Sequence, residues 1–403
     1  MQQHVREADV SEPESVLGLS AAQIAAGGAR WTAREIAQQP QLWPQVAGLI
    51  GGDGPLAAFL APLLRNRSLR IVLTGAGTSS FIGACLAPAL ARHGLRAEAL
   101  ATTDIVAGPG YCLGPETPTL MVHFARSGNS PESVAAMELA EQQIGQCSHL
   151  IVTCNARGEL LRRASGMSHA HAVLLPEACN DQSFAMTSSF TGMLVAAGVA
   201  LRALTADHAR LAGLAQLGES VLSSSVTLLQ SLVRAQFERV VYLGSGELKG
   251  LAREAALKML ELTDGRIVSL ADSSLGFRHG PKTVLNGSTL VVVFVSNDAH
   301  TRRYDLDLLA ELRGDAVAGR VIALANRAGV PEHAATVRLA NGAAAQDPTL
   351  SDLELCLPYA VFAQSLALLR SLSLGISPDT PNAAGTVNRV VQGVSIYPYN
   401  KTT

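Results

Sequence analysis

Charged and aromatic residues are scarce in this chain of 403 residues. Charged side chains make up 16% and aromatic ones 4%, the net charge is −2, and no block of basic residues occurs. Proteins that bind nucleic acid or anionic membrane surfaces carry clustered Lys and Arg, so we expect neither as a partner. Hydrophobic residues make up 48%, which is typical of a well-buried α/β protein and argues against a disordered chain.

The cysteines lack any C-x-x-C spacing. Disulfides would be the interpretation for an exported protein, but no charged start followed by an apolar signal segment occurs. We therefore expect buried, reduced thiols and a cytoplasmic location. The six cysteines are Cys85, Cys112, Cys147, Cys154, Cys179 and Cys356.

Long apolar runs and recognisable ligand spacings are also missing. The stretch from Gly192 to Leu204 is interrupted by Arg202 and is too short to span a bilayer. No grouping of His, Cys, Asp and Glu has metal-ligand spacing, since His169 and His171 alternate on a strand pattern. No Ser-His-Asp signature is evident. The sequence predicts no metal and no cofactor.

What the chain does contain is an alternation of apolar strands with helical stretches. Helix-separated apolar strands indicate parallel sheets covered on both faces, and this length favours two domains. We predict an N-terminal arm and helix over 1–50, a first domain over 51–215, and a second domain with a C-terminal tail over 216–403. The predicted strands are 70–74, 97–100, 119–124, 149–153 and 171–175, then 239–243, 266–270, 289–295, 320–324 and 336–339, with helical regions at 186–236 and 352–373.

Two strand-to-helix corners in the first domain are rich in hydroxyl groups and glycine. One corner spans residues 73–80 and the other 123–133, where Pro131 suits a first helical turn. Such corners aim free backbone N–H groups and the positive end of a helix dipole at one point. Without a Walker lysine, they fit a sugar phosphate better than a nucleotide. Ordinary helix capping is the alternative interpretation, and the predicted phosphate ligands are Thr78, Ser79, Ser127 and Ser130, with Arg126 adjacent.

The second half repeats the form of the first. Residues 242–246 end an apolar strand in Gly-x-Gly ahead of a helix, as residues 73–77 do, which indicates a duplicated α/β unit. At the chain ends, Thr32 followed by Glu35 predicts a helix N-cap with a capping box. The segment 377–400 reads as an extended tail that either frays or drapes across a site.

A helix predicted over residues 253–261 carries three charged side chains on one face. Glu254, Lys258 and Glu261 are spaced i, i+4 and i+7. A solvated ladder of ion pairs is the ordinary interpretation. The flanking residues are apolar and small, however, and the helix begins at a strand end where α/β clefts open, which favours a functional role. His279 precedes Gly-Pro, which predicts a loop that exposes its ring, although most histidines are structural.

These motifs resemble those of the sugar isomerase (SIS) family, and within it the AgaS group. That group is described as galactosamine-6-phosphate deaminase/isomerase or tagatose-6-phosphate ketose/aldose isomerase. The resemblance implies two tandem flavodoxin-like SIS domains and an enzyme. It covers about residues 31–399, through the segments 32–36, 39–43, 75–80, 125–133, 154–155, 180–190, 254–261, 278–282 and 385–391.

The resemblance also implies roles for individual residues. Glu261 matches a glutamate that moves a proton between C1 and C2 of the sugar, and Lys258 matches a lysine beside it. His279 matches a histidine that assists ring opening and reaches in from the neighbouring subunit, which implies at least a homodimer. Where aminotransferase relatives carry an imine-forming lysine, this chain has Arg389, whose guanidinium is a poor imine former. Further residues predicted to line the sugar are Asn180, Gln182 and Thr187.

The leading hypothesis is isomerising deamination of an amino-sugar 6-phosphate, from galactosamine 6-phosphate to tagatose 6-phosphate and ammonia, by acid/base catalysis without a metal. Glucosamine 6-phosphate as substrate and plain aldose–ketose isomerisation are the nearest alternatives. A sugar-phosphate sensor without turnover is an alternative of another class. Residues 1–50 show no basic helix-turn-helix pattern, which argues against a regulator.

Overall fold

The computed structural model describes residues 15–330, 335–338, 349–391 and 393–399. A short hairpin and four helices precede the first sheet. They are β1 (Ser15–Val16), β2 (Leu19–Ser20), α1 (Ala21–Ala26), α2 (Arg30–Ala37), α3 (Gln39–Ile50) and α4 (Pro55–Arg65).

The first sheet region alternates strands with helices and is followed by three helices. Its elements are β3 (Arg70–Gly75), α5 (Thr78–Arg92), β4 (Arg96–Ala101), α6 (Thr102–Ala107), α7 (Pro109–Cys112), β5 (Thr119–Ala125), α8 (Pro131–Gln143), β6 (Cys147–Thr153), α9 (Glu159–Ala164) and β7 (Ala170–Leu174), then α10 (Ser188–Ala200), α11 (His208–Ser224) and α12 (Val226–Arg234).

The second sheet region repeats the alternation and ends in a long helix. Its elements are β8 (Arg239–Leu243), α13 (Glu247–Leu262), β9 (Val268–Asp272), β10 (Thr289–Phe294), α14 (Ala299–Asp315), β11 (Arg320–Ala325), β12 (Ala335–Arg338) and α15 (Asp352–Ser373).

Both sheets have five parallel strands and the same strand order. The first runs β4-β3-β5-β6-β7 and the second β9-β8-β10-β11-β12, which is the flavodoxin-like order 2-1-3-4-5 in each. The predicted α/β class with two tandem flavodoxin-like units is confirmed. The strands begin and end within two residues of the predicted bounds, except that residue 339 of the last one lies outside the described residues. The domain boundaries stay a prediction.

Helix α15 is the central core helix. Among the described residues it is the single helix long and apolar enough to cross a membrane, and 94% of its most apolar window is buried inside the protein. The helix pair α3 and α4, bent by 75°, meets the same criterion only if counted as one span. The apolar surface of α15 therefore already has protein around it.

The two units meet where α5 crosses α13. These helices follow the first strand of their sheets, and both begin after a glycine in the left-handed region, Gly77 (φ 55°) and Gly246 (φ 57°). In the first turn of α13, a Cβ on Gly250 would lie 2.6 Å from the backbone N of Cys85 and 2.7 Å from the carbonyl carbon of Ala84. Only glycine permits so close an approach of two helix backbones.

The predicted capping box at Thr32 and Glu35 is wrong. Helix α2 begins two residues earlier, at Arg30, and no side chain caps it from Ala29. Thr32 instead donates its backbone N–H (2.8 Å) and its hydroxyl (2.7 Å) to the Asp379 carboxylate. Glu35 accepts hydrogen bonds from the backbone and hydroxyl of Ser183. Partners more than a hundred residues away thus replace the local ones.

We expect Gly250→Ala to destabilise the protein by about 1–3 kcal/mol, because the new methyl group meets backbone atoms that cannot move aside. The matched control is Gly213→Ala on α11, where a Cβ would meet nothing within 4 Å. That change should stabilise the helix by about 0.5–1 kcal/mol. Unfolding by heat and by denaturant measures both. Equal effects of the two substitutions would contradict the close helix crossing.

Candidate active site

A cavity of about 230 Å³ opens between the ends of β3 and β5. This is the point where strand order reverses in the first sheet, and ligands of open α/β sheets bind there. The cavity is lined by Ala76, Gly77, Thr78, Ser79, Phe124, Ala125, Arg126, Ser127, Ser130, Ser133, Phe184, Met186, Glu261 and Val387 to Val391.

The first wall of the cavity is the N-terminus of α5. No side chain caps this helix, whose capping position is Gly77. The positive end of the α5 dipole therefore faces the cavity, as an anion site requires. Ser79 lies on the first turn, and its hydroxyl has a single weak contact among the described residues, to the sulfur of Met186 at 3.8 Å. It is available to a ligand.

The second wall is the loop after β5. Gly128 adopts φ 67°, and the Ser127 carbonyl accepts a hydrogen bond from Nδ2 of Asn155 at 2.7 Å, so the loop is held from behind. Ser130 caps α8, where its Oγ accepts the N–H of Ser133 at 3.3 Å. Its hydroxyl also donates to the Ser133 hydroxyl at 2.7 Å. Ser130 is thus a helix cap that also lines the cavity.

Two arginines supply positive charge. Arg126 is buried and donates to the carbonyl oxygens of Phe184 (3.3 Å) and Arg389 (3.1 Å). Burial, together with the neighbouring Arg389, lowers the pKa of Arg126, but a guanidinium stays charged. Arg389 donates to the carbonyl of Asp181. Both arginines line the cavity, which favours a ligand with negative charge.

Helix α13 of the second unit closes the cavity. Lys258 is 1% exposed, and its Nζ donates to the Thr78 hydroxyl of α5 at 2.9 Å. The same Nζ contacts the Glu261 carboxylate, and it lies 3.5 Å from Oε1 of Glu254. The ordinary interpretation of these charges as a solvated ladder is wrong, because Glu254 and Lys258 are buried. Glu261 keeps 24% of its side chain exposed and lines the cavity.

Burial separates the two carboxyl groups chemically. Burial, reinforced by Glu261 and opposed by Lys258, raises the pKa of Glu254 to about 8. For Lys258, burial alone would lower the pKa, but Glu254 and Glu261 reverse the effect, so its pKa is raised. Near pH 7, Glu254 is therefore a neutral carboxylic acid, and Lys258 is a cation that lies beside Glu261. Of the two carboxyl groups, Glu261 is the one that lines the cavity and can reach a ligand.

The C-terminal segment drapes across the cavity. Its residues Val387 to Val391 form one side of the lining. Asn382 anchors the segment, because its side-chain oxygen accepts the N–H groups of Thr386 (2.7 Å) and Val387 (3.2 Å), and its Nδ2 donates to Asp264 at 2.9 Å. Of the two predicted outcomes for the tail, the described residues therefore follow the second.

The structure brings most predicted site residues together and leaves four apart. Thr78, Ser79, Arg126, Ser127, Ser130, Glu261 and Arg389 line the cavity, and Lys258 adjoins it through Thr78 and Glu261. Four residues do not line it, and their predicted roles stay predictions: Asn180, Gln182, Thr187 and His279.

The residues that stand apart have definite surroundings. Thr187 is fully buried and donates both its N–H (2.8 Å) and its hydroxyl (3.2 Å) to the Asp181 carboxylate. The Gln182 side chain donates to the Asn180 carbonyl at 2.8 Å. His279 is exposed on a loop beside the buried Phe277, outside the cavity of its own chain.

Sequence reasoning missed two apolar members of the lining, Phe184 and Met186. Both lie inside the motif 180–190, so a signal was present, but the prediction named only polar residues of that motif. A larger cavity of about 610 Å³, lined in part by His93, Arg202 and Asp53, contains none of the predicted site residues.

Comparison with known proteins adds independent information. The family profile described as "SIS domain" matches residues 63–203. D-galactosamine-6-phosphate deaminase AgaS of Escherichia coli O157:H7 is 45% identical over 380 residues, covering 93% of this chain and 97% of that protein. The protein of the same name from Shewanella sp. (strain ANA-3) is 42% identical over 392 residues, covering 96% and 97%.

A solved structure agrees over nearly the whole length. Tagatose-6-phosphate ketose/aldose isomerase from Escherichia coli superimposes with a TM-score of 0.85 at 43% identity, covering 93% of this chain and 98% of that one. The two chains therefore share the fold over nearly their whole length. The resemblance stated from sequence motifs is confirmed.

We expect Glu254→Gln to remove a pH dependence of stability. In the folded protein Glu254 holds its proton up to pH about 8, whereas in the unfolded chain it loses the proton near its ordinary pKa of 4.5. Its contribution to stability is thus complete below pH 4.5 and is lost as the pH rises to about 8. Glutamine is neutral throughout.

The measurement is the unfolding temperature of both proteins against pH. The unfolding temperature of the variant should rise relative to that of the wild type between pH 4.5 and about 8. Above that range the difference between the two proteins should stay constant. Exposed Glu116, replaced by Gln, is the matched control and should follow the wild type. Parallel curves for the wild type and Glu254→Gln would contradict the assignment of a neutral Glu254.

Proposed function

This chain belongs to the SIS domain family and, within it, to the AgaS group, and from that premise we propose that it catalyses the isomerising deamination of D-galactosamine 6-phosphate. The products are tagatose 6-phosphate and ammonia. One observation carries the proposal: the hydroxyl-rich loop at Ser127, from the first unit, and the Glu261 carboxylate, from the second, line the same cavity.

The phosphate group is proposed to bind at the two corners of the first sheet. The α5 N-terminus and the loop at Ser127 offer hydroxyl and backbone donors, and Arg126 adds a buried positive charge. A phosphate monoester is close to a dianion at neutral pH, so a site with fixed donors and cations stabilises it. Anchoring this end orients C1 and C2 of the sugar for the chemical step.

Ring opening comes first. It needs an acid that protonates the ring oxygen and a base that takes the proton of the C1 hydroxyl. His279 is proposed for this step, because imidazole can accept and donate a proton near neutral pH. Its exposure on a loop outside the cavity of its own chain supports delivery to the site of a neighbouring copy. Large apolar side chains exposed on nearby elements, Leu260 (43%), Val268 (50%) and Leu275 (43%), support a homodimer that covers them.

The central step is proton transfer by Glu261. In the open-chain amino sugar, the C2–H bond is acidified by the C1 aldehyde. Glu261 removes that proton while O1 takes a proton from water, which gives an enolamine. Glu261 then returns its proton to C1, and the nitrogen loses one proton to water, which leaves a 2-imine with a hydroxyl group at C1. A single carboxylate positioned over two adjacent carbons suffices for this transfer. Lys258 fixes the carboxylate from behind by donating to it, and the same Nζ is held in place by the Thr78 hydroxyl, which accepts a second hydrogen bond from it.

Water then completes the reaction. It adds to C2 of the imine, and collapse of the carbinolamine releases ammonia and leaves the ketose 6-phosphate. The amino group arrives on the substrate, so no lysine imine is needed. Arg389 at the cavity wall accords with this route, because a guanidinium forms imines poorly but pairs well with phosphate and hydroxyl oxygens. The same acid/base groups need no metal in this scheme.

A second candidate is aldose–ketose isomerisation without nitrogen loss. It is favoured by the solved Escherichia coli neighbour, named tagatose-6-phosphate ketose/aldose isomerase. D-glucosamine 6-phosphate is the alternative substrate and differs only at C4. Ammonia release and ketose formation, measured separately on both amino-sugar epimers and on tagatose 6-phosphate, distinguish the three reactions.

A cytoplasmic location is proposed with the same activity, since sugar phosphates are cytoplasmic metabolites.

We expect Glu261→Gln to lower ammonia release from D-galactosamine 6-phosphate by about 10³-fold or more, because the amide cannot accept the C2 proton. Binding of the substrate, followed by ligand-induced thermal stabilisation, should persist. Glu219→Gln, on the exposed surface of α11, serves as the matched helical control and should retain full activity. Undiminished turnover in Glu261→Gln would refute the role of this residue, and binding without turnover in the wild type would favour a sensor.

Complementation between two inactive variants tests the shared site. Glu261→Gln and His279→Ala homodimers should each be inactive. Co-refolded in equal amounts, they should regain about a quarter of wild-type activity, since half of the dimers are mixed and each mixed dimer holds one intact site. Activity that stays absent after verified mixing would place His279 outside the partner's site.

A further inference from the structure

A second cluster of reactive side chains lies at the opposite edge of the first sheet. Parallel strands point their carboxyl ends at the cavity described above, whereas Cys147 and His149 sit at the start of β6 and His169 directly precedes β7. Glu141 reaches the same spot from the last turn of α8. The proposed deamination uses none of these four residues.

The other three side chains lie around Glu141. Nε2 of His149 lies 2.8 Å from Oε1 of Glu141 and 3.4 Å from Sγ of Cys147. Nε2 of His169 lies 3.1 Å from both carboxylate oxygens of Glu141. The donor atoms of Glu141, Cys147 and His149 are all within 4.8 Å of one another, and within the described residues this is the single group of its kind.

These separations are close to the edges of a zinc coordination tetrahedron. Bonds of about 2.0–2.1 Å to nitrogen and about 2.3 Å to sulfur place neighbouring ligand atoms about 3.3–3.6 Å apart. The 3.4 Å between Cys147 Sγ and His149 Nε2 falls in that range. The 2.8 Å and 3.1 Å contacts to Glu141 need to lengthen by a few tenths of an ångström, which its partly exposed side chain can provide.

A second layer supports the cluster. Nδ1 of His149 lies 2.9 Å from Nε2 of His123, and both imidazoles are buried. With a metal on Nε2 of His149, its Nδ1–H would donate to His123, which is the outer hydrogen bond that metal-bound histidines normally make. Glu141 and His169 keep 33% and 40% of their side chains exposed, which leaves a path for entry.

We propose that Glu141, Cys147, His149 and His169 form a zinc site. The donor set of two imidazoles, one thiolate and one carboxylate suits a borderline-soft ion and is wrong for Mg²⁺ or Ca²⁺, which take oxygen ligands. Glu141, Cys147 and His149 form the compact part of the site. His169 lies outside that group of three and contacts it through Glu141, so its ring must move closer to complete the set. Four protein ligands are the pattern of a structural rather than a catalytic zinc.

The position of this site indicates a structural role. The zinc ties the end of α8 to the starts of β6 and β7, three elements that the fold otherwise joins by packing and strand pairing. Through His123 it also braces β5, the strand that runs directly into Arg126 and Ser127 at the cavity. We expect it to stabilise the first unit without touching the substrate. The proposal is independent of the proposed reaction.

Cobalt spectroscopy tests the site directly. The full-length protein, treated with a chelator under reducing conditions, is titrated with Co²⁺ and then with Zn²⁺. One Co²⁺ per chain should bind, with the visible bands of tetrahedral cobalt and a near-ultraviolet band from thiolate-to-cobalt charge transfer, and Zn²⁺ should bleach both. Cys147→Ser should abolish the charge-transfer band, while Cys112→Ser, at a cysteine outside the cluster, should keep it.

A second pair of variants guards against misfolding. His169→Ala removes a half-exposed ligand and should weaken zinc affinity at least tenfold in competition with a chromophoric chelator. His171→Ala, two residues further on in β7, where the ring stacks against Phe59, should leave affinity unchanged. Zinc should also raise the unfolding temperature of the wild type and not that of His169→Ala. Absence of stoichiometric binding by the wild type, or equal affinity in both variants, would overturn the proposal.

Discussion

The site depends on the hydrogen bonds made by the buried ammonium group of Lys258. It donates to Thr78 at the start of α5, in the first unit, and contacts Glu261 on α13, in the second. A lysine this deeply buried is tolerated only when a negative charge and hydrogen-bond acceptors compensate its own charge. Because these partners lie on both helices, α5 and α13 must keep their relative position. Gly250 allows the close crossing, and at the far end Arg92 of α5 pairs with the buried Glu247 of α13.

The same constraint organises charge in the cavity. Burial keeps Glu254 protonated, so the lysine is balanced mainly by Glu261, the carboxylate that faces the ligand. Arg126 and Arg389 remain to balance an incoming anion. A site that holds a phosphate at one end and a single well-fixed carboxylate at the other has the groups needed for proton transfer between neighbouring carbons of a sugar phosphate.

The two units differ in what occupies the donors at equivalent corners. The corners at Gly77 and Gly246 have the same backbone conformation. In the second unit, however, the equivalent opening is filled by the protein's own carboxylates. Asp305 accepts the N–H of Ser296 at 2.9 Å, and Asp352 accepts that of Asn297 at 2.7 Å. Burial raises the pKa of Asp305 to about 6. Donors that would meet a phosphate are already satisfied there.

Local pattern alone determined the strands, the duplicated Gly-x-Gly corners and the shared face of Glu254, Lys258 and Glu261, because apolar periodicity and turn chemistry act within a few residues. The tertiary structure decided which side chains meet. Thr32 bonds Asp379 rather than capping its own helix, Phe184 reaches the cavity, and Glu141, Cys147 and His149 converge despite spacings that match no metal motif. Such contacts join residues far apart in the chain, and only the packing of strands and helices brings them within bonding distance.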